Sequence, residues 1–219
     1  MSTRAEIATA AREYLDEINA GVTVTGTIMT NAINRSQREL NRITEYNRLE
    51  RTITTTTSTR EYTMTGTHTK IYRVRYGPTY KKLDPTSVAR LDNENPGWEG
   101  GTAGTPSGYY AHGPKFGLQP KPDATGTVYY NTLVTPANLS ASGSSPSWCP
   151  NEYHDTLAKG VAIDLAGGQL ATTDSSQNRA GWLYSQYMRD AQEMKRLAVR
   201  RSAEYTGGFK PTGYERFRR

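Results

Sequence analysis

At 219 residues, the chain can bury one good core, or a helical core with a small β subdomain, but it has little room for two fully independent domains. Hydrophobic residues make up 35% of the chain, which is low for an enzyme of this size. The chain has 15 tyrosines and 3 phenylalanines, and the hydroxyl groups of tyrosine suit contacts between molecules that include water. The net charge of +6 lies at one end, because residues 195–219 hold eight lysines and arginines against two glutamates. We therefore expect a localised acidic partner rather than a generally basic surface.

Two amphipathic helices are predicted within residues 1–50. Thr3 and Glu6 form a capping-box start, after which apolar residues recur at helical spacing until Gly21. On the same grounds a second helix is predicted from Thr30, or the residue after it, to about Leu49. Its opposite face is rich in arginine, which indicates either solvated surface or a subunit contact.

A β subdomain is predicted over residues 51–140. Threonines dominate the chain after Arg51, and their β-branched side chains favour extended structure. Residues 70–77 alternate in a pattern that predicts a half-buried strand with Tyr72, Val74 and Tyr76 on one face.

Glycines and prolines divide the remainder of this subdomain into short elements. Further strands are predicted at residues 109–110, 115–118 and 127–134, and all the strands are expected to form one small antiparallel sheet. Between them, Asp84 is expected to cap a single helical turn that has Pro85 at its first position.

Two more helices are predicted within residues 141–205. The first, at about residues 151–170, is so apolar that we expect it to be the most buried helix. The second begins with a capping-box-like pair, Asp174 and Gln177, and continues to about Glu204. The predicted fold class is therefore α+β: a four-helix body of two N-terminal and two C-terminal helices, interrupted by a small antiparallel β subdomain and followed by an extended C-terminal tail, 206–219.

The sequence contains no pattern that predicts catalysis, a metal site or a cofactor. Its histidines, His68, His112 and His154, lack the spacing of metal ligands, and a single cysteine, Cys149, excludes an intrachain disulfide and a cysteine-based zinc site. Asp92 and Glu94 are close in sequence but flank a turn, so we interpret them as turn-capping residues. We expect a protein that is not an enzyme.

The C-terminal tail is the strongest candidate binding site by composition. Basic and aromatic residues alternate there, which fits either nucleic-acid binding through phosphate contacts and stacking, or docking into a groove of an acidic protein. A solvated tail without a role is the third reading, and on its own the tail is expected to be disordered. The residues that would bind are Phe209, Lys210, Tyr214, Arg216, Phe217, Arg218 and Arg219.

The sequence predicts no association with membranes. No apolar run approaches the roughly 20 residues that a bilayer span requires, and Met1 leads into a charged helix without an apolar signal region. The protein is therefore expected to be made and used in the cytoplasm, or in a particle assembled there.

A series of short motifs between about residues 30 and 200 carries a family resemblance. In order they are Arg60-Glu61-Tyr62, KIYRVRYG at residues 70–77, residues 83–91 followed by Pro96-Gly97-Trp98, Gly104-Thr105-Pro106 before Tyr109-Tyr110, LQPKPD at residues 118–123, residues 136–139, and Pro150 at a helix start. With these motifs in this order, the chain resembles the head-to-tail adaptor (connector, tail tubular protein A-like) proteins of short-tailed bacteriophages.

The resemblance implies a structural protein of the virion neck or tail. It implies a ring, usually dodecameric, that lies below the portal of the capsid and above a tail nozzle or tail tube protein, with double-stranded DNA passing through its lumen during ejection. It also implies that the C-terminal segment extends to the portal. We expect the insert to supply the contact with a neighbouring subunit or the tail, through Trp98, Tyr109, Tyr110, Arg73 and Arg75.

Two other classes of function remain open at this point. A nucleic-acid-binding protein would use the basic, aromatic tail and would show affinity for DNA that falls steeply with salt. A glycan-binding or cell-wall-degrading virion protein would need an aromatic groove or a carboxylate pair in the β insert.

Overall fold

The protein is a mixed α+β structure, as predicted. The computed structural model describes residues 2–17, 24–64, 66, 68–167 and 174–205. Contacts divide the chain into two compact units, a helical unit of Met1–Asn47 with Pro136–Arg219 and a β unit of Arg48–Thr135. The α-helices are α1 Arg4–Glu17, α2 Gly26–Thr44, α3 Val88–Glu94, α4 His154–Ala166 and α5 Asp174–Tyr205.

The first helix begins at the predicted capping box. The Thr3 N–H donates to Glu6 Oε2 at 2.7 Å, and the Glu6 N–H donates to Thr3 Oγ1 at 3.3 Å. These two bonds satisfy backbone donors that have no partner inside the helix. The predicted end at Gly21 lies outside the described residues.

Helix α2 begins and ends earlier than the sequence pattern predicts. Thr25 caps its start by accepting a hydrogen bond from the Ile28 N–H at 3.4 Å. It ends because Glu45 is left-handed, with φ 51°, and its N–H bonds back to Asn41 O at 2.8 Å. Leu49 therefore lies beyond the helix, and the apolar residues after Thr44 belong to a turn and a strand.

Helix α4 lies deep in the core of the helical unit. Its buried residues include Leu157, Val161 and Ala162, in agreement with the predicted apolar character. The α-helix begins at His154 rather than at the predicted residue 151, because a 3₁₀ turn at Asn151–Tyr153 precedes it. The predicted end of this helix falls in residues outside the described ranges.

A glycine in α4 sets how closely its neighbours approach. A Cβ at Gly160 would lie 2.5 Å from Ser36 Oγ on α2 and 2.9 Å from Tyr187 Cε2 on α5. Real Cβ atoms are not found at such distances, so the contact among these three helices requires glycine at this position.

Buried amides attach the segment before α4 to helix α2. Gln37 is fully buried; its Nε2 donates to Asn34 Oδ1 at 2.9 Å and to Ala137 O at 2.8 Å. The Leu139 N–H donates to the same Asn34 oxygen at 2.8 Å, and Trp148 Nε1 donates to Gln37 Oε1 at 3.3 Å. The serine- and glycine-rich segment after residue 137 is thus fixed by hydrogen bonds that water would otherwise have to supply.

The β unit contains two sheets where the sequence predicted one. The strands are β1 Arg48–Thr55, β2 Glu61–Thr63, β3 His68–Tyr76, β4 Lys81–Lys82, β5 Asp84–Pro85, β6 Gly108–His112, β7 Lys115–Gln119 and β8 Gly126–Val134. Sheet A has the order β1-β8-β3-β4 and sheet B the order β2-β7-β6-β5. The predicted strands are present, but their pairing depends on contacts between distant parts of the chain that local alternation does not reveal.

The predicted helical turn at Asp84 and Pro85 was wrong. These residues form β5, which pairs in parallel with β6 and is the one parallel pair among the strands described. Helix α3 begins three residues later instead, with Ser87 Oγ accepting from the Arg90 N–H at 3.2 Å. Serine is a strong N-cap residue. Pro85 has no N–H to donate to a neighbouring strand, so Pro85 lies in the edge strand of its sheet.

The two sheets pack face to face around an aromatic core. Phe116 of sheet B stacks on Tyr130 of sheet A, with ring centroids 6.1 Å apart, and on Tyr109 at 5.5 Å. The other buried members of this core are Met64, Val74, Tyr76, Leu83, Leu118 and Val128. Each sheet therefore has one face in the core and one outer face.

Candidate assembly interface

The outer face of sheet A presents arginines and tyrosines. Val74 and Tyr76 point into the core of the β unit, so Arg73 and Arg75, which alternate with them, lie on the opposite face. Arg75 is paired in register with Tyr129, and both side chains share that face. We call this surface the basic face; it contains Arg48, Lys70, Arg73, Arg75, Lys82, Glu50, Tyr80 and Tyr129.

Arg75 is held in place by one carboxylate and two aromatic rings. Its Nη2 forms an ion pair with Glu50 Oε2, and its guanidinium carbon lies 4.9 Å from the ring centroid of Tyr80 and 5.8 Å from that of Tyr129. The tyrosine rings are 4.9 Å apart, and a hydrogen bond with Tyr80 raises the pKa of Tyr129. Arg73, by contrast, has no ion-pair or hydrogen-bond partner among the described residues. Cationic and aromatic groups are therefore presented together, a combination common in protein interfaces.

A bulge in β3 moves Tyr72 off its predicted face. The register of β3 with β8 shifts between Ile71 and Arg73, so Tyr72 has no paired residue. Ile71 packs against the core in its place. The ring of Tyr72 instead lies beneath Arg48, whose guanidinium carbon is 4.1 Å from the ring centroid. The prediction that Tyr72 shares a face with Val74 and Tyr76 was wrong for this reason.

Trp98 lies inside the β unit rather than on its surface. It is 3% exposed, its Nε1 donates to Asp92 Oδ1 at 2.7 Å, and its ring meets that of Tyr110 edge-on with centroids 5.4 Å apart. The guanidinium of Arg60 covers the indole at 4.5 Å and donates to Trp98 O at 2.9 Å. The expected exposure of this aromatic side chain is thus corrected, because its polar N–H finds an internal acceptor.

Tyr109 and Tyr110 are also buried. Tyr109 belongs to the core between the sheets, and Tyr110 lies on the outer face of sheet B, directly over Gly117. A Cβ at Gly117 would lie 2.0 Å from the Tyr110 ring, so only glycine leaves room for it. The Tyr110 hydroxyl donates to Glu61 Oε1 at 3.2 Å, and burial, together with this carboxylate, raises its pKa to about 12.

The outer side of sheet B is the more acidic side of the β unit. Helix α3 and the 3₁₀ turn Trp98–Gly100 cover it, since Trp98 and Leu91 cluster with Tyr110. We call this surface the acidic side; its charged residues are Glu61, Asp84, Asp92, Glu94 and Glu99, with Arg60, Arg90 and Lys115. A hydrogen bond from Lys115 Nζ, at 2.9 Å from Glu61 Oε2, lowers the pKa of that carboxyl.

The helical unit carries a groove that the sequence did not reveal. A cavity of about 200 Å³ lies among α2, α4 and α5, with Ile43, Ile163 and Met188 in its wall. Tyr184 is 52% exposed at its edge, while Tyr187 is buried and its pKa is raised by loss of solvent. No local pattern in the sequence indicates this groove, because residues from three distant segments of the chain form it.

The arginines of α2 are paired rather than free. Arg35 Nη2 lies 2.7 Å from Asp164 Oδ2 on α4, and Arg42 pairs with Glu39 one turn away at 2.6 Å. Arg38 Nη1 donates to Asn138 Oδ1 at 3.0 Å. These contacts fix the arginine-rich face to the unit's own residues.

Among the described residues, no cluster of side chains is suited to metal binding. Within the ranges that the structure covers, histidine, cysteine and acidic side chains nowhere gather in a group of three that could hold a metal ion. Burial raises the pKa of Cys149 to about 12, which leaves the thiol protonated and unreactive. His154 is buried and structural: Nδ1 accepts from the Ser2 N–H at 3.0 Å, and Nε2 lies 3.1 Å from Cys149 O.

The predicted tail site lies outside the described residues. This applies to Phe209, Lys210, Tyr214, Arg216, Phe217, Arg218 and Arg219. Upstream of them, α5 is described to Tyr205, and no helix in the described part of the chain has the length and apolar character needed to cross a bilayer.

Comparison with known proteins identifies the family. No curated protein sequence matches the chain. The profile of the SU10 adaptor protein family, however, matches residues 2–211, which is nearly the whole sequence and includes both structural units. The resemblance carried by the series of motifs between about residues 30 and 200 is thereby confirmed. The chain belongs to the SU10 adaptor protein family and is a phage head-to-tail adaptor, a structural protein of the virion neck.

Proposed function

We propose that the protein assembles into a dodecameric ring that joins the portal to the tail and lets double-stranded DNA pass through its lumen without sequence specificity. The observation that carries this proposal is the family match over residues 2–211. The absence of a metal cluster among the described residues is compatible with this role, but it does not by itself support it.

Each part of the chain has a proposed place in this ring. Residues 1–50 and 141–205 supply a four-helix body, residues 51–140 the inserted β subdomain, and residues 206–219 an extended tail that binds the portal. The tail holds much of the chain's basic excess, and its phenylalanines and tyrosine would serve as anchors. A tail nozzle or tail tube protein would lie below the ring.

Assembly on the portal would couple binding to ordering. From its composition, the tail is expected to become ordered only when it binds, so each single contact is weak. A ring presents many copies of the tail at once, and a linked array binds far more tightly than one copy. The ring would therefore hold the portal firmly although a free protomer does not.

Removing the tail tests the portal contact. A chain ending at Ser202 should keep its helical circular dichroism, because the core of the helical unit lies upstream, but should no longer co-sediment with the portal ring of the same phage. A second variant, Phe209→Ala with Phe217→Ala, keeps every charge and separates anchoring from electrostatics. Normal portal binding by the truncated chain would refute the tail assignment.

Nucleic-acid binding is the second candidate, because basic and aromatic groups occur together both in the tail sequence and on the basic face. As the main function, it predicts that isolated protomers bind duplex DNA with an affinity that falls steeply between 50 and 200 mM salt, by about 10³-fold or more for six or more phosphate contacts. Weak binding at all these salt concentrations would exclude it.

A further inference from the structure

Trp182 differs from the other two tryptophans of the chain in its exposure and in its hydrogen bonding. It is 56% exposed on α5. Nε1 of Trp98 donates to Asp92 and Nε1 of Trp148 donates to Gln37, whereas no described residue accepts a hydrogen bond from Trp182. Tryptophan usually contributes its large ring to a core or to an interface. Because Trp182 lies outside the core of its own unit, its ring is suited to a contact with another molecule.

The groove among α2, α4 and α5, which we call the helical groove, has the size of one large side chain. Its volume is about 200 Å³, below the roughly 300–1,000 Å³ of pockets that hold drug-sized molecules. Ile43, Ile163 and Met188 line it, and Tyr184 is half-exposed at its edge. An aromatic ring that entered here would contact apolar side chains and could pack against the tyrosine ring at its edge or face. The groove therefore fits a single aromatic side chain.

The polar groups of the helical groove favour an uncharged ring that carries one hydrogen-bond donor. Glu39 and Asp164, which line the groove, are each paired with an arginine of α2, so their charges are already neutralised. Both hydrogen bonds from Arg35 go to Asp164 Oδ2, and no described residue donates to Oδ1. This oxygen is open to the N–H of an indole, which is a donor only. An indole thus matches both the apolar wall and the free acceptor.

Trp182 lies on the wrong side of α5 to enter the helical groove of its own protomer. An α-helix turns about 100° per residue, so Trp182 is roughly 200° around the helix axis from Tyr184, which borders the groove. The buried residues Leu183 and Tyr187 lie between these two positions, on the side that faces the core. The exposed indole and the groove therefore belong to one helical unit but face in different directions.

We propose that Trp182 of each copy inserts into the helical groove of the next copy around the ring. This inference rests on the proposed ring and identifies a contact that closes it. A ring requires a heterologous contact, in which one surface of each subunit meets a different surface of its neighbour. The exposed indole and the groove are two such surfaces on the same chain, which favours a second copy as the occupant. A tryptophan enclosed in a pocket is typical of the residues that contribute most of the binding energy of an interface.

Photo-crosslinking from position 182 tests the contact itself. A chain with p-benzoylphenylalanine in place of Trp182 keeps an aromatic ring there and reacts on illumination with C–H bonds that the ring touches. This chain is mixed with isotopically labelled wild-type chain and illuminated, both on the portal ring of the same phage and as concentrated free protein. Mass spectrometry should find cross-links to labelled peptides that contain Ile163 or Met188. Cross-links only to other peptides, or none in either condition, would overturn the proposal.

Two substitutions test the two halves of the contact separately. Trp182→Ala removes the indole, and Ile163→Trp blocks the groove with a ring of the same kind. Each should need about tenfold or more protein for half-assembly of rings on the portal, scored by electron microscopy over a dilution series, because both remove an enclosed tryptophan from the interface. The matched control is Leu49→Ala, which truncates a 48% exposed apolar side chain in the β unit and should assemble within about threefold of the wild type. Unchanged circular dichroism of each variant excludes an effect through folding.

The outcomes separate the contact from the function. If the wild-type chain forms no ring with the portal, the proposed function fails, and cross-linking of the concentrated free protein still decides the contact. If the wild type forms rings and both groove-contact variants do so equally well, the contact fails while the function stands. If the variants lose assembly but position 182 cross-links to the portal protein, Trp182 is a portal-binding residue and the proposal is overturned.

Discussion

Replacing Trp98 with alanine should destabilise the β unit directly, rather than weaken only its contacts with other molecules. The side chain is 3% exposed, and an aromatic residue of this kind buries about 150–250 Å². At about 25 cal/mol per Å², this corresponds to about 4–6 kcal/mol, close to the 3–5 kcal/mol range for Phe or Trp truncation in cores. The change also removes the hydrogen bond to Asp92 and the ring beneath Arg60. We expect a loss of about 3–5 kcal/mol in the free energy of unfolding of this unit.

The matched control is Trp182→Ala. Trp182 is 56% exposed on α5, so its truncation should cost about 1 kcal/mol or less. Urea denaturation of each variant, followed by circular dichroism, compares the two tryptophans within one chain. If Trp98→Ala and Trp182→Ala lose similar small amounts of stability, the Trp98 side chain is not the core residue described here. If Trp98→Ala then also lost ring assembly, the Trp98 side chain would be an interface residue instead.

Three further predictions concern the helical unit. Gly160→Ala should lower the free energy of unfolding by about 1–3 kcal/mol, because the added Cβ would clash with Ser36 and Tyr187. Gly181→Ala should raise it by about 0.5–1 kcal/mol, because a Cβ there meets nothing within 4 Å and alanine favours helix over glycine. Equal shifts of the urea midpoint in the two variants would contradict this. Burial alone would lower the pKa of Lys159, but its hydrogen bonds to Asp190 and Asp155 outweigh this and raise it, so Lys159→Met should cost about 1–3 kcal/mol at pH 7. That loss should shrink as the pH rises through the folded pKa of the lysine; a difference that persists at high pH would show that packing, not the ion pairs, is responsible. Burial lowers the pKa of His154. The stability that the buried, neutral imidazole contributes to the fold is therefore complete above the unfolded pKa of about 6.5, and it is lost as the pH falls below that value. The fall in thermal midpoint between pH 7 and pH 5 should therefore be smaller in His154→Gln than in the wild type, and an identical fall would refute a buried neutral imidazole.

Local signals in the sequence were sufficient for most elements. The capping pair Thr3 and Glu6 fixes the start of α1 through two bonds that involve only neighbouring residues. Likewise, the apolar stripe of α5, with Leu183, Tyr187 and Met194 buried, follows directly from helical spacing. Such features depend on a few consecutive residues, which is why they can be predicted from one sequence.

The errors arose where distant residues decide the outcome. Asp84 and Pro85 are suited to a helix start, yet pairing with β6 makes them a strand. A bulge turns Tyr72 away from the core, and an internal acceptor, Asp92, allows Trp98 to be buried. Neither the division into two sheets nor the charge difference between their outer faces can be derived before the pairing is known. The candidate interface therefore emerged from the structure, whereas the family emerged from the order of motifs.

Electron microscopy of the full chain mixed with the portal ring of the same phage tests the central claim most directly. The account predicts a closed ring with an open central channel, seated on the portal. Protomers that remain single in the presence of the portal, or rings that do not bind it, would contradict the adaptor function.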